Sequence, residues 1–151
     1  MTYPNGRVLN YTYGAVSSVD DAISRLAALK DHDGTTVLES YTYLGDGTML
    51  ARSNPAVTLS LLSAATSDSG DPYTGLDRFG AVIDQKWVAS TTTPSITDEF
   101  TYTYDTNSNR LTEGNTLHNA LYATYTYDAL NRLSHVTGGT VQSQDWALDA
   151  L

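Results

Sequence analysis

Cysteine is absent from the 151 residues. That removes disulfide frameworks, thiolate zinc sites and thiol nucleophiles together, and leaves the redox compartment unread. Positive charge is scarce: 8 Lys and Arg stand against 17 Asp and Glu, a formal net charge of −9. With no basic stripe to displace counterions from a phosphate backbone, nucleic acid is not an expected partner, and neither is an anionic membrane surface. Long apolar runs are missing as well. None approaches the roughly 20 residues of a spanning helix, so membrane insertion is not expected. Met1-Thr2-Tyr3-Pro4-Asn5-Gly6 lacks the charged start and apolar centre of a signal peptide. What is present is apolar and aromatic: 40% hydrophobic residues with 11 Tyr, enough for a chain that folds rather than a disordered one.

The chain repeats itself, and a repeat decides the fold before any other feature. Tyr125-Thr126-Tyr127-Asp128-Ala129-Leu130-Asn131-Arg132-Leu133 echoes Tyr102-Thr103-Tyr104-Asp105-Thr106-Asn107-Ser108-Asn109-Arg110-Leu111. Matching Asn109-Arg110-Leu111 to Asn131-Arg132-Leu133 gives the earlier copy one extra turn residue. Weaker copies are Tyr41-Thr42-Tyr43 with Asp46 to Leu50, Leu76-Asp77-Arg78-Phe79-Gly80-Ala81-Val82, and Tyr3 to Val8. Tyr11-Thr12-Tyr13-Gly14 opens another, whose Arg25-Leu26 follows an insertion. Trp146-Ala147-Leu148-Asp149-Ala150-Leu151 aligns with Tyr125 to Leu130 and stops inside its turn. The position before the Asp or its equivalent falls at residues 3, 13, 43, 76, 104, 127 and 148, separated by 10, 30, 33, 28, 23 and 21.

Each unit reads as strand, turn and strand. In Tyr-Thr-Tyr both Tyr face one side and Thr the other, and both residue types favour strands. Asp starts a turn because its carboxylate accepts from backbone two residues on. Gly or Asn three residues later, as at Gly80 and Asn131, tolerates the left-handed conformation. One hairpin buries too little to stand alone, so the units must join into a longer sheet. Residues 1–151 are therefore expected to be one all-β segment of about seven copies, a series of antiparallel hairpins in a curved open sheet. Ser18 to Lys30 has some helical spacing, but Asp31-His32-Asp33-Gly34 is a turn signal. The expectation is a hairpin with one helical turn near Val19 to Ala22. Ser63 to Asp71 and Ser90 to Thr97 read as loops.

Tyr-Asp-x-x-[Gly/Asn]-Arg-Leu at intervals of twenty to forty residues resembles the YD-repeat, or RHS (rearrangement hotspot), family. The likeness is strongest at Tyr104 to Leu111 and Tyr127 to Leu133. It implies a β-ribbon spiralling into a hollow shell, as in toxin complexes and teneurins, within a much larger secreted or cell-surface protein. The expected partners are then the remaining repeats of the parent chain and an enclosed effector domain, with glycans as the ligands of an adhesive alternative. The conserved end segment of toxin shells, with its aspartyl autoprotease, is missing. Asp71-Pro72-Tyr73-Thr74-Gly75 reads as a turn and not as part of that segment.

No constellation points to catalysis, a cofactor or a metal. Asp105, Asp128 and Asp149 recur where a turn needs them, which explains them without the paired carboxylates of a glycosidase. His32, His118 and His135 are far apart and lack metal-site spacing. There is no Gly-x-Ser-x-Gly elbow and no phosphate-cradling glycine motif. Asp31-His32-Asp33-Gly34-Thr35 alternates oxygen ligands as calcium loops do, but without the third acidic position or the bidentate Glu. The Tyr rows could stack on sugar rings, or could hold the sheet together through cross-strand aromatic contacts.

Overall fold

In a computed structural model, which describes residues 1–45, 47–62, 72–139 and 141–147, the chain forms one antiparallel sheet of eleven strands. The strands lie side by side in chain order. They are β1 (Asn10–Thr12), β2 (Ala28–Lys30), β3 (Val37–Leu44), β4 (Thr48–Ser53), β5 (Val57–Ser60), β6 (Asp84–Ala89), β7 (Ile96–Tyr104), β8 (Arg110–Asn115), β9 (Tyr122–Tyr127), β10 (Leu133–Gly138) and β11 (Val141–Asp145). The helix is a single turn, α1 (Val19–Ala22), and Ser18 caps it by accepting from the Asp21 amide. That is the helical turn the sequence suggests. Ser63 to Asp71, expected as a loop, and Asp46 and Asp149 lie outside the described residues.

The sheet is a single layer. Its buried apolar residues are Ala28, Leu50, Leu61, Ala123 and Val136, and among the described residues no side chain is fully enclosed. Accessible surface totals 10002 Å², against about 7,500 Å² for a compact monomer of this size. Cover comes from the sheet's own aromatic rings. Tyr41, Tyr43, Tyr102, Tyr104, Tyr125 and Tyr127 are half-buried, whereas the Thr between each pair, Thr42, Thr103 and Thr126, is exposed. On the threonine face Thr103, Thr112, Thr124 and Thr137 stand in register across β7 to β10.

The hairpins share one register. Tyr43 pairs with Met49, Tyr104 with Arg110 and Tyr127 with Leu133, each six residues on, and Leu76 bridges Val82 in the same way. The preceding Thr pairs nine residues on, Thr42 with Ala51, Thr103 with Thr112 and Thr126 with His135. One residue of each return strand is therefore bulged: Leu50, Leu111 or Ser134. The equivalent bond in the other hairpins runs from Ala27 N to Thr12 O (2.7 Å) and from Ile83 N to Gly75 O (2.8 Å).

This register corrects two alignments. Asp105 accepts from Ser108 N and Asp128 from Asn131 N through their carbonyls, and the left-handed residues are Ser108 (φ 65°) and Asn131 (φ 59°). The earlier copy has no extra turn residue. Asn109 occupies the place of Arg132 and Arg110 that of Leu133, because position is counted from the Asp that organises the turn. The first copy shifts as well. Thr2 bridges Val8, and Tyr3 takes the Asp position, donating to Arg7 O at 2.8 Å. Its turn lies at the opposite rim, where Arg7 meets Asp31. Its spacing of 10 residues to the next copy is therefore one strand and not a hairpin. Five hairpins, marked by Tyr13, Tyr43, Leu76, Tyr104 and Tyr127, turn at one common rim.

Asn131 sits at positive φ as its place in the turn requires. Asn131→Gly should leave the thermal midpoint nearly unchanged. Asn131→Val should cost about 1–3 kcal/mol, since a β-branched side chain is strained there. Thermal denaturation of the two variants measures the difference, and equal tolerance of Val would contradict the turn geometry.

Candidate functional site

The residues singled out by the repeat converge on the common rim and on the tyrosine face beside it. At the rim, Asp77, Asp105 and Asp128 are each the hub of a turn. Asp128 Oδ1 accepts from Leu130 N and Arg132 N, both at 2.9 Å, while Oδ2 takes Arg132 Nε at 2.7 Å. Asp105 repeats this with Asn107 N (2.9 Å), Asn109 N (2.8 Å) and Asn109 Nδ2 (2.9 Å). Asp77 accepts from Phe79 N and Ala81 N at 2.8 Å, and Gly80 (φ 83°) holds the left-handed place. Donors of this kind favour the ionised carboxylate. The Asn109 side chain, followed by backbone bonds, holds Asp105 below the usual aspartate range, and the Arg132 amide and guanidinium do the same for Asp128.

The second Tyr of each pair ties its hairpin to the one before. Tyr43 donates to Leu26 O at 2.8 Å, Tyr104 to Val82 O at 2.9 Å and Tyr127 to Arg110 O at 2.9 Å. Leu26, Val82 and Arg110 occupy the same position in the hairpins marked by Tyr13, Leu76 and Tyr104, so this is one bond repeated. The rims are linked too. Asn107 Nδ2 and Asn109 Nδ2 both reach Asn131 Oδ1, at 3.1 and 2.8 Å, and Arg25 reaches Gly45 O while its guanidinium lies 4.3 Å from the Tyr43 ring centre.

The first Tyr of each pair uses polar partners that the sequence does not flag. Tyr125 donates to Glu113 Oε2 at 3.1 Å, and Glu113 also pairs with Arg110 at 2.8 Å. Arg110 in turn stands 4.8 Å from the Tyr102 ring centre. Tyr41 donates to Glu39 Oε2 at 2.6 Å, and Glu39 pairs with Arg52. Burial first, then the Glu39 carboxylate, pushes the Tyr41 phenol up to about 12. Burial and Glu113 raise Tyr102 and Tyr125. Only an acidic residue recurring at a fixed distance from the Tyr pair could have revealed Glu39 and Glu113, and they stand at different repeat positions.

The remaining candidates are dispersed. Asp33 in the calcium-like loop spends its oxygens on its own turn, accepting from Thr35 N (2.9 Å), Thr36 N (2.8 Å) and Thr36 Oγ1. Those bonds hold its carboxyl far below the usual range. Among the described residues no three His, Asp or Glu side chains gather as a metal site would require. His32 is exposed beside Asp31, and His135 Nδ1 lies 2.6 Å from Asp145 Oδ1 across β10 and β11. Leu76 N bonds to Tyr73 O at 2.9 Å, a turn in the described part of the Asp71–Gly75 stretch. The backbone amide of Trp146, expected to start the last copy, donates to Ser134 O at 2.9 Å, as the Tyr102 amide does to Ile83 O. Among the described residues no helix is long and apolar enough to cross a membrane. No family model matches the chain, and no curated protein matches it.

The rim carboxylates make stability acid-sensitive. Because Asp105 and Asp128 have lowered folded-state pKa values, their contribution is complete above about pH 4, the ordinary aspartate range, and is lost as pH falls through the folded values. Thermal midpoints recorded against pH should fall in that window, and Asp105→Ala with Asp128→Ala should flatten the decline. The tyrosine bond gives a second expectation. Tyr104→Phe and Tyr127→Phe should each cost about 0.5–1.5 kcal/mol in denaturant titrations.

Proposed function

We propose that this chain is wall material: a run of hairpins in the shell of a large RHS or YD-repeat protein, secreted or held at a cell surface, which encloses or presents a further domain. The observation that carries the reading is the difference between interior and end hairpins. Tyr43, Tyr104 and Tyr127 are half-buried and bonded to the hairpin before them. Tyr13, at the same position of the first rim hairpin, is 43% exposed. Each hairpin is thus completed by a neighbour, and the ends of the sheet offer the same unfilled places to more of the same. A single layer with two open edges suits a wall better than a free-standing domain. The adhesive, glycan-binding alternative has less support, because the interior Tyr hydroxyls are engaged within the sheet.

Unpaired strand edges recruit other strands. The purified 151-residue chain should therefore self-associate with rising concentration in sedimentation velocity, and Ser143→Lys on β11 should weaken the association by charging that edge. A chain that stays monomeric throughout, with or without the lysine, would count against the wall reading. A glycan array separates the adhesive alternative, which requires specific sugar binding by the native chain.

A further inference from the structure

Four junctions join the five rim hairpins. Three are spanned by a tyrosine ring whose hydroxyl reaches a carbonyl of the preceding hairpin: Tyr43 to Leu26, Tyr104 to Val82 and Tyr127 to Arg110, the last two carbonyls lying six residues past the previous marker. The fourth lies between the Tyr43 and Leu76 hairpins. Here the Leu61 amide donates to Leu50 O as the Tyr41 amide does to Ala27 O and the Tyr102 amide to Ile83 O. The Gly75 amide bonds to Leu61 O at 2.9 Å. Leu61 and Leu76 thereby fill the two positions that hold Tyr in the repeats marked by Tyr43, Tyr104 and Tyr127. Two branched aliphatic side chains stand where two phenols stand elsewhere, and beside Leu61 lies a cavity of about 220 Å³, lined by Met49, Leu50, Arg52, Leu59, Leu61 and Val82 among others.

We propose that this notch is a binding site for one phenolic ring. Its place in the register is the evidence. Met49 stands six residues past Tyr43, so its carbonyl is the counterpart of the Leu26, Val82 and Arg110 carbonyls that accept a phenol elsewhere in the sheet. The walls are the aliphatic side chains a ring needs, and the Arg52 side chain lines the same space. Arginine already lies against Tyr rings elsewhere in the sheet, Arg25 at 4.3 Å from Tyr43 across one junction and Arg110 at 4.8 Å from Tyr102 within a hairpin. A cation over a ring adds attraction that aliphatic ligands cannot use. The ring can come from a small free phenol or from a tyrosyl side chain of another protein, since both present the same chemistry to the notch.

Ligand-observed NMR on the 151-residue chain tests this with p-cresol, toluene and N-acetyl-tyrosinamide. p-Cresol should bind about fivefold more tightly than toluene, the share expected of one hydrogen bond. Leu76→Tyr should abolish p-cresol binding and raise the thermal midpoint by filling the site from within. Should that variant fail to fold, Leu59→Trp blocks the notch from its other wall and should abolish binding likewise. N-acetyl-tyrosinamide binding alongside p-cresol assigns the site to tyrosyl side chains, and p-cresol binding alone assigns it to free phenols. Equal affinity for toluene and p-cresol, binding that survives both variants, or no p-cresol binding at all would overturn the proposal.

Discussion

A phenol hydroxyl that crosses from one hairpin to a main-chain carbonyl of the hairpin before it is the bond on which the rest of this sheet depends. A single layer has no second sheet or helix to bury its face, so its side chains must cover it themselves. A tyrosine ring can do so when its polar end has a partner, because a buried hydroxyl left unbonded is costly. The bond at Tyr43, Tyr104 and Tyr127 supplies that partner at the same place each time. It also fixes register between hairpins, since a slip of one residue would turn every ring to the threonine face. The Asp-centred turns then set the register within each hairpin, so the two devices divide the task between them.

Much of this was legible. Tyr-Thr-Tyr followed by Asp states a strand with an aromatic face and a turn, and Asn131 and Gly80 sit at the left-handed position that their chemistry favours. The all-β class and the hairpin series follow from those few residues. Ser108 was not legible, because serine rarely takes positive φ and Asn109 beside it looks like the better candidate. Tyr3 was misplaced by one residue for a related reason: its aromatic side chain resembles the strand marker, whereas its backbone occupies the Asp position.

What lay beyond the sequence were the relations between distant residues. Leu61 is the structural counterpart of Tyr102 although it stands fifteen residues before Leu76, and no local pattern connects the two. The partners of the first Tyr, Glu39 and Glu113, come from different repeat positions and are visible only once strands are paired. The candidate site is in this sense a property of the register. Its residues are ordinary, and their juxtaposition is what the fold contributes.

The bulges at Leu50, Leu111 and Ser134 recur at one place in successive hairpins. Each return strand therefore carries one residue more than the outgoing strand it pairs with. Two bonded strips of unequal length relieve the mismatch by bending, as a bimetallic strip does on heating, and a bulge also sharpens the local right-handed twist. Where β3, β7 and β11 meet the return strands before them the register shifts again, with the surplus on the outgoing strand. The extra residue thus falls on the later strand of each shifted pair, and successive bends add instead of cancelling. The direction in which such a ribbon coils is written into where its surplus residue falls, one hairpin at a time.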